Sequence, residues 1–340
     1  MSLPSLLHSR VRELNDRSGL TKHKSLVRGI ISSIEDRVLT RGDALPSVNV
    51  LMEEIGFARQ TIVNAYAELK ERGIIEARNR RGYYVASETT DQTTKVALLL
   101  YAFLPFQEIF YNTFRETLGE TVQVDVYFHH NNVDVFQDLL QKISGQYGYY
   151  VIAPPEHPKV VRMLSILPQG RCLMVDRPSP GGDFPYVSQQ FAEPSLRIYE
   201  QLAQRAKNYT EIVLFYRPDV DYPAGNHTSF LKMIARTGLN GRVLPQYAPG
   251  SLRREVLYIT IGDSDLWPLL EDSVDRGWTP GREFGVVSHN DSRIKKIICG
   301  GITTITTDFA EMARRAAQFV LTRKEIKEYI PTVLVERASV

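Results

Sequence analysis

The chain has 340 residues, 43% hydrophobic and 24% charged, with a formal net charge of +2. That balance describes a soluble globular chain long enough for two or three domains, and it excludes an indiscriminate polycation. No run of eighteen apolar residues occurs, which excludes a membrane-spanning helix.

The first fourteen residues, MSLPSLLHSRVREL, have too short an apolar core for a signal peptide and no small-residue cleavage site. Leu3, Leu6, Leu7, Val11 and Leu14 recur at helical spacing. They predict an amphipathic helix that packs on the next domain or on a partner. A cytoplasmic location is expected.

Residues 45–85 carry the most information. Leu45-Pro46-Ser47 places an extended residue before proline and then a serine able to cap a helix. Val48, Leu51, Met52 and Ile55 give the following helix one apolar face, and Gly56 ends it. A second helix starts near Arg59, buries Ile62, Ala65, Tyr66 and Leu69, and stops at Gly73. Arg59, Gln60, Thr61 and Asn64 remain on its other faces, the first three at the N-terminal end that meets base edges in this geometry. The stretch IIEARNRRGYYV then predicts a β-hairpin with a basic tip at Asn79-Arg80-Arg81-Gly82, suited to a minor groove or to phosphates. The alternative is a small helical domain with an ordinary solvated hairpin.

Residues 24–85 resemble the N-terminal winged helix of GntR-family transcription regulators. The marks are LPS, ARQT, AYAELKERGII and RRGYYV. The resemblance implies that Arg59, Gln60 and Thr61 face double-stranded operator DNA, with Ser47, Asn49, Asn64, Arg80, Arg81 and Gly82 completing the contact surface. Many relatives carry arginine where this chain has Asn49 and Val63, so the operator is expected to differ. Residues 1–86 hold 14 Lys and Arg against 10 Asp and Glu, leaving 27 against 29 in the remainder. The small domain is therefore modestly basic and the large one nearly neutral, as phosphate contact by the former requires.

Residues 86–95, ASETTDQTTK, lack large apolar side chains and read as a linker between domains at 1–85 and 96–340. Beyond them VALLLYAF, VQVDVYF, YYVIAP, RCLMVD, EIVLFY, VLYITI and EFGVVS alternate with amphipathic stretches. Such alternation predicts βαβ units and parallel sheets, and about 245 residues suit two similar lobes. Ligands of such sheets bind beyond the C-terminal ends of strands. Phe103 to Phe106, Pro154 to Glu156, Asp176-Arg177, the loop 217–227, Asp263 and Ser288 to Asp291 follow strands in this way.

This large domain resembles the effector domain of LacI-family repressors and periplasmic sugar-binding proteins. LMVDRPSPGGDFPYVS, ITIGDSD, GVVSHND, GGITTITTDFAEMARRAAQFV and VLVERASV carry the resemblance. It implies an α/β two-lobed fold, a homodimer, and a sugar-like small molecule as effector. Asp176 matches a ligand carboxylate of the family; Asp263, His289, Asn290 and Asp291 lie in two further ligand motifs. Gly262 stands where an asparagine is usual and Asn290 where an aspartate is. Phe106 is expected at the same site and Tyr247 as the aromatic platform a sugar ring needs. For each polar residue the alternative is loop capping or hinge hydrogen bonding.

No catalytic residue, cofactor or metal site is expected. His129-His130 lacks a carboxylate or cysteine at ligand spacing, and Gly300-Gly301 lacks a dinucleotide frame. Asp219 and Asp221 read as solvated loop acids, and Trp267 and Trp278 as core or lobe-surface residues. Cys172 and Cys299 are too few for a disulfide framework and, in apolar strand-like stretches, predict buried thiols. The expected function is that of a ligand-responsive transcription regulator. The alternatives are a nucleobase-like or amino-acid-like effector, a fused pyridoxal-phosphate enzyme, and a transport or chemotaxis binding protein.

Overall fold

The computed structural model describes residues 3–18, 20–71, 73–78, 81–86, 94–144, 146–167, 169–177, 183–190, 192–218 and 222–340. Helices α1 (Leu3–Ser18), α2 (Lys22–Glu35), α3 (Val48–Ile55) and α4 (Arg59–Glu71) precede a hairpin of β1 (Ile75–Arg78) and β2 (Gly82–Val85). Next come β3 (Thr94–Leu100), α5 (Pro105–Leu118), β4 (Val122–Phe128), α6 (Val133–Ile143), β5 (Tyr149–Ile152), α7 (Val160–Leu164), β6 (Cys172–Asp176) and β7 (Tyr186–Gln189). They are followed by α8 (Ala192–Arg205), β8 (Glu211–Phe215), α9 (Ala224–Thr237), β9 (Gly241–Leu244), β10 (Val256–Thr260) and α10 (Asp263–Asp275). The last elements are β11 (Gly285–His289), α11 (Arg293–Ile297), β12 (Thr303–Thr307), α12 (Phe309–Thr322), β13 (Lys327–Ile330) and β14 (Thr332–Val335). Among the described residues, besides the hairpin, there are two six-stranded sheets, ordered β13-β7-β6-β5-β3-β4 and β14-β12-β11-β10-β8-β9.

The chain divides into two compact units, residues 1–99, 119–151 and 157–172, and residues 100–118, 152–156 and 173–340. In the first unit, Leu7 and Val11 of α1 join one apolar core with Leu26, Ile30, Leu51, Ile62, Tyr66, Leu69 and Val85. The N-terminal amphipathic helix thus packs on the winged helix. It does so at close range, because a Cβ on Gly29 would meet Cγ2 of Val11 at 2.5 Å. Ser47 caps α3, its Oγ accepting from the Val50 amide at 3.3 Å, and Gly56 ends that helix at φ 71°. Leu51 is buried and Val48 and Ile55 pack beside it, but Met52 is 36% exposed. The expected apolar face of α3 is therefore narrower by one residue. A helix of eight residues presents barely two turns to the core, and Met52 falls off that arc.

In the second unit, β9-β8-β10-β11-β12 run parallel and β14 closes the edge antiparallel to β12. Both faces are covered. Ile212, Leu214, Leu257, Ile259 and Val287 pack on one side, and Val213, Phe215, Val256, Tyr258 and Val286 on the other. Burial on both faces is why these strands read as unbroken apolar runs. Strands β9 and β13 were not legible in that way; each has four residues, and β13, KEYI, buries only its last.

Only Ala86, Thr94 and Lys95 of the expected linker are described, the last two already within β3. Cys172 is buried as expected, whereas Cys299 is exposed and corrects the expectation. It sits not on a strand but in a tight turn after α11, with φ 50°.

Candidate DNA interface and effector site

Helices α3 and α4 are locked to the hairpin from within. The Tyr66 hydroxyl on α4 donates to the Pro46 carbonyl at 2.6 Å, and its ring lies 4.6 Å from that of Tyr83 on β2. Residues 42–45 flank β2, with Leu45 N–H donating to Tyr83 O at 2.8 Å and Val85 N–H to Asp43 O at 2.9 Å. The wing is thus hydrogen-bonded to the segment before α3 and packed on α4 through the Tyr66–Tyr83 ring contact.

On the outer surface, Asn49, Arg59, Gln60 and Asn64 are exposed and Thr61 is half-buried. Arg59 Nη1 donates to Asn49 Oδ1 at 3.2 Å, tying the two helices together, and Gln60 Nε2 donates to Asn64 Oδ1 at 2.8 Å. Both bonds are solvent-exposed and easily exchanged for bonds to bases or phosphates. The wing turns at Gly82, φ 98°, with Arg81 exposed beside it; Arg80 and Asn79 lie outside the described residues. Arg78, not singled out in sequence, ends β1 opposite Gly82, next to the wing's tip. Its guanidinium lies 4.2 Å over the Tyr84 ring and its Nε 2.8 Å from Glu76.

The expected effector residues sit at the C-terminal ends of parallel strands. Asp176 ends β6 in the left-handed region, φ 69°, a strained conformation for a non-glycine residue. Its Oδ1 accepts from Gln189 Nε2 at 2.5 Å, and Arg177 Nε is 3.7 Å from Oδ2. Gln189 in turn accepts from Thr307 Oγ1 at 3.0 Å. The carboxylate is thus aimed by the Gln189–Thr307 chain on one oxygen and by the Arg177 guanidinium near the other.

Asp263, at the start of α10, meets Lys295 Nζ at 2.6 Å. Lys295 is 1% exposed and also donates to the carbonyls of His289 at 2.7 Å and Asn290 at 2.8 Å. One buried ammonium therefore joins Asp263, His289 and Asn290, which sequence reasoning placed in separate motifs. Burial lowers the Lys295 pKa, and Asp263 opposes that shift. His289 is buried, its Nε2 3.3 Å from the Tyr199 hydroxyl; burial and the Lys295 charge push its pKa down to about 3. It is neutral at physiological pH.

Asp291 is committed elsewhere. Arg337 grips both its oxygens, at 2.8 and 2.6 Å. Burial opposes the Asp291 charge, but the arginine fork outweighs it and holds the carboxyl below its usual pKa. Phe106 is buried with its ring 4.6 Å from that of Phe309. Tyr247 is 5% exposed inside an apolar cluster, its amide donating to Asp265 at 2.9 Å and its hydroxyl to Asp272. The structure brings neither ring to Asp176 or Asp263. Lys295, Gln189 and Arg337 were missed because a buried lysine inside a basic helix, RIKKI, looks like any solvated one.

Residues 23–85 match the family model described as "Bacterial regulatory proteins, gntR family". Comparison with proteins of curated function finds no match. Solved structures do resemble the chain. A LacI family transcriptional regulator from Silicibacter pomeroyi is 15% identical with a TM-score of 0.60, over 72% of this chain and 98% of that one. One from Lactobacillus casei with bound glucose is 14% identical at 0.60, over 72% and 99%. One from Enterococcus faecium with bound ribose is 12% identical at 0.59, over 72% and 98%. This chain therefore joins a DNA-binding domain of the gntR type to an α/β domain with the fold of LacI-family regulators, and it is a transcription regulator.

Proposed function

We propose that this regulator is a cytoplasmic, homodimeric repressor whose operator affinity is set by a sugar or sugar derivative bound by residues 96–340. The winged helix of residues 1–85 would read the operator, and residues 86–95 would link the two. The observation that carries the reading is the pair of oriented carboxylates at strand ends. Asp176 is held by Gln189, and Asp263 by the buried Lys295. Sugar hydroxyls need such fixed acceptors, and a crevice beyond strand C-termini is where open α/β sheets bind ligands. The glucose and ribose in the similar regulators support the same class of effector.

Asp291 is set aside from the ligand set because Arg337 takes both its oxygens, and Tyr247 because its ring is enclosed in an apolar cluster. Asn290, His289 and Phe106 remain as wall residues. On DNA, Arg59, Gln60, Thr61 and Asn64 supply base contacts, and Ser47, Asn49, Arg80, Arg81 and Gly82 hold the backbone.

A second copy fits the face of α10 and α11. Val274, Ile294 and Ile297 are 74%, 55% and 78% exposed there. Exposed Glu271 and Asp275 lie on α10, and exposed Arg293 and Lys296 on α11. Under a two-fold axis the acidic helix of one copy meets the basic helix of the other. Two heads would then dock on half-sites of a pseudo-palindrome.

Thermal unfolding against a panel of sugars, sugar phosphates, polyols, nucleobases and amino acids tests the effector reading. A ligand at a hundredfold its dissociation constant stabilises the fold by about 2.7 kcal/mol. A sugar hit that disappears in Asp176→Asn supports the proposal; a hit only among nucleobases or amino acids overturns the sugar assignment.

A further inference from the structure

We propose that the winged helix is clamped onto the first α/β sheet region by an ionic junction centred on Arg171, and that this junction fixes the spacing of the two heads in the dimer. The proposal rests on the DNA-binding reading above. Three arginines build the junction. Arg28 on α2 donates Nη2 to the Tyr147 carbonyl at 2.8 Å. Arg171, just before β6, sends Nη1 to Glu35 at 3.0 Å and Nη2 to within 3.6 Å of Asp36. Arg10 on α1 reaches Asp36 from the other side at 2.9 Å.

Each end of the junction is anchored. Tyr147 is held by its hydroxyl on Asp125 at 2.7 Å and by edge-on contacts with Tyr127 and Tyr150. Asp36 and Glu35 sit at the end of α2, whose Ile30 and Ile34 are in the winged-helix core. Arg171 and Glu35 are only 20% and 18% exposed, so their charges are weakly screened. Yet the surfaces do not close tightly. A cavity of about 230 Å³ lies among Arg10, Leu14, Ser32, Tyr150, Ile166 and Leu167. A junction with a gap and a ring of charges is held by directed ion pairs more than by apolar packing, and such contacts open and close more readily than a core does.

Arg171 also has a defined connection to the proposed effector site. It immediately precedes β6, and the last residue of β6 is Asp176. A movement that tightens Asp176 on a ligand is applied to the same short strand that begins at the clamp. Arg171 is in this sense a positioning residue, acting on DNA through the placement of α2.

The test uses full-length protein and the duplex that the wild type selects from a random-sequence pool. Half-site spacing is then varied base pair by base pair across one helical turn, about 10 bp. With heads clamped, affinity falls by at least about fivefold away from the selected spacing. In Arg171→Glu, and more mildly in Arg171→Gln, the profile flattens to less than about twofold. Combining Arg171→Glu with Glu35→Arg, which leaves the Arg10–Asp36 pair in place, restores it. Hydrogen exchange of α2 amides without DNA gives an independent reading: faster in Arg171→Glu, restored in the combination. A wild-type spacing profile in Arg171→Glu, or failure of the combination to restore either readout, overturns the proposal. If the wild type selects no duplex, the DNA-binding reading fails instead. Unchanged α2 exchange in Arg171→Glu then overturns the clamp separately.

Discussion

The surface of α4 and the strand ends around Lys295 handle polar side chains in opposite ways. On α4, Arg59 pairs with Asn49 and Gln60 with Asn64 in full view of solvent. Around Lys295, an ammonium 1% exposed satisfies a carboxylate and two carbonyls at once. Exposed pairs contribute little to stability and are free to be exchanged for a partner. Enclosed ones are costly to break and hold geometry. Under the proposed function, the first region suits contact with a large polyanion, and the second keeps acceptors fixed for a small molecule.

Breaking the enclosed pair should have the largest effect. Asp263→Ala leaves Lys295 with a buried charge and no carboxylate, and should cost about 3 kcal/mol of stability, read by chemical denaturation. An unchanged midpoint would show that Lys295 reaches water in solution and would erase the contrast. Acidification addresses the same region. His289 is depressed from 6.5 to about 3 in the fold, so between those values the unfolded chain binds the extra proton. Its contribution is complete above pH 6.5 and is lost progressively as the pH falls towards 3. Melting temperatures measured across that window should fall more steeply in the wild type than in His289→Gln; equal slopes would mean that His289 is solvated.

The exposed region should respond the other way. Arg59→Ala is expected to leave stability within about 0.5 kcal/mol while weakening operator binding by about 1–3 kcal/mol. Equal weakening on operator and scrambled duplex would make Arg59 a phosphate contact. Ser47→Ala removes a helix cap and should cost about 1 kcal/mol, the smallest of these changes. A still smaller loss would mean that water replaces the hydroxyl at the exposed Val50 amide.

The contrast also explains what the sequence disclosed. The winged helix was legible almost residue by residue: Ser47 as cap, Gly56 and Gly73 as stops, Ile62, Ala65, Tyr66 and Leu69 as the buried face. Its signals are local, set by spacing within a turn or two. The strand ends of the large domain were legible as positions but not as partners. Lys295 meets Asp263 across 32 residues of sequence and Arg337 meets Asp291 across 46, and no periodicity reports such pairs. Tyr247 shows the same gap, since an aromatic residue in a proline-bounded loop reads alike whether its ring packs in a core or faces a crevice.

The close approach of α1 to α2 has a consequence for how this sequence can drift. Gly29 leaves no room for a methyl group unless Val11 gives way. Residues 11 and 29 therefore form a lock in which a gain of volume on one side demands a loss on the other. Homologues that keep α1 in this seat should vary the two positions together, trading a larger residue at one for a smaller one at the other. In homologues where position 29 grows and position 11 does not shrink, α1 will have moved, and Arg10 with it.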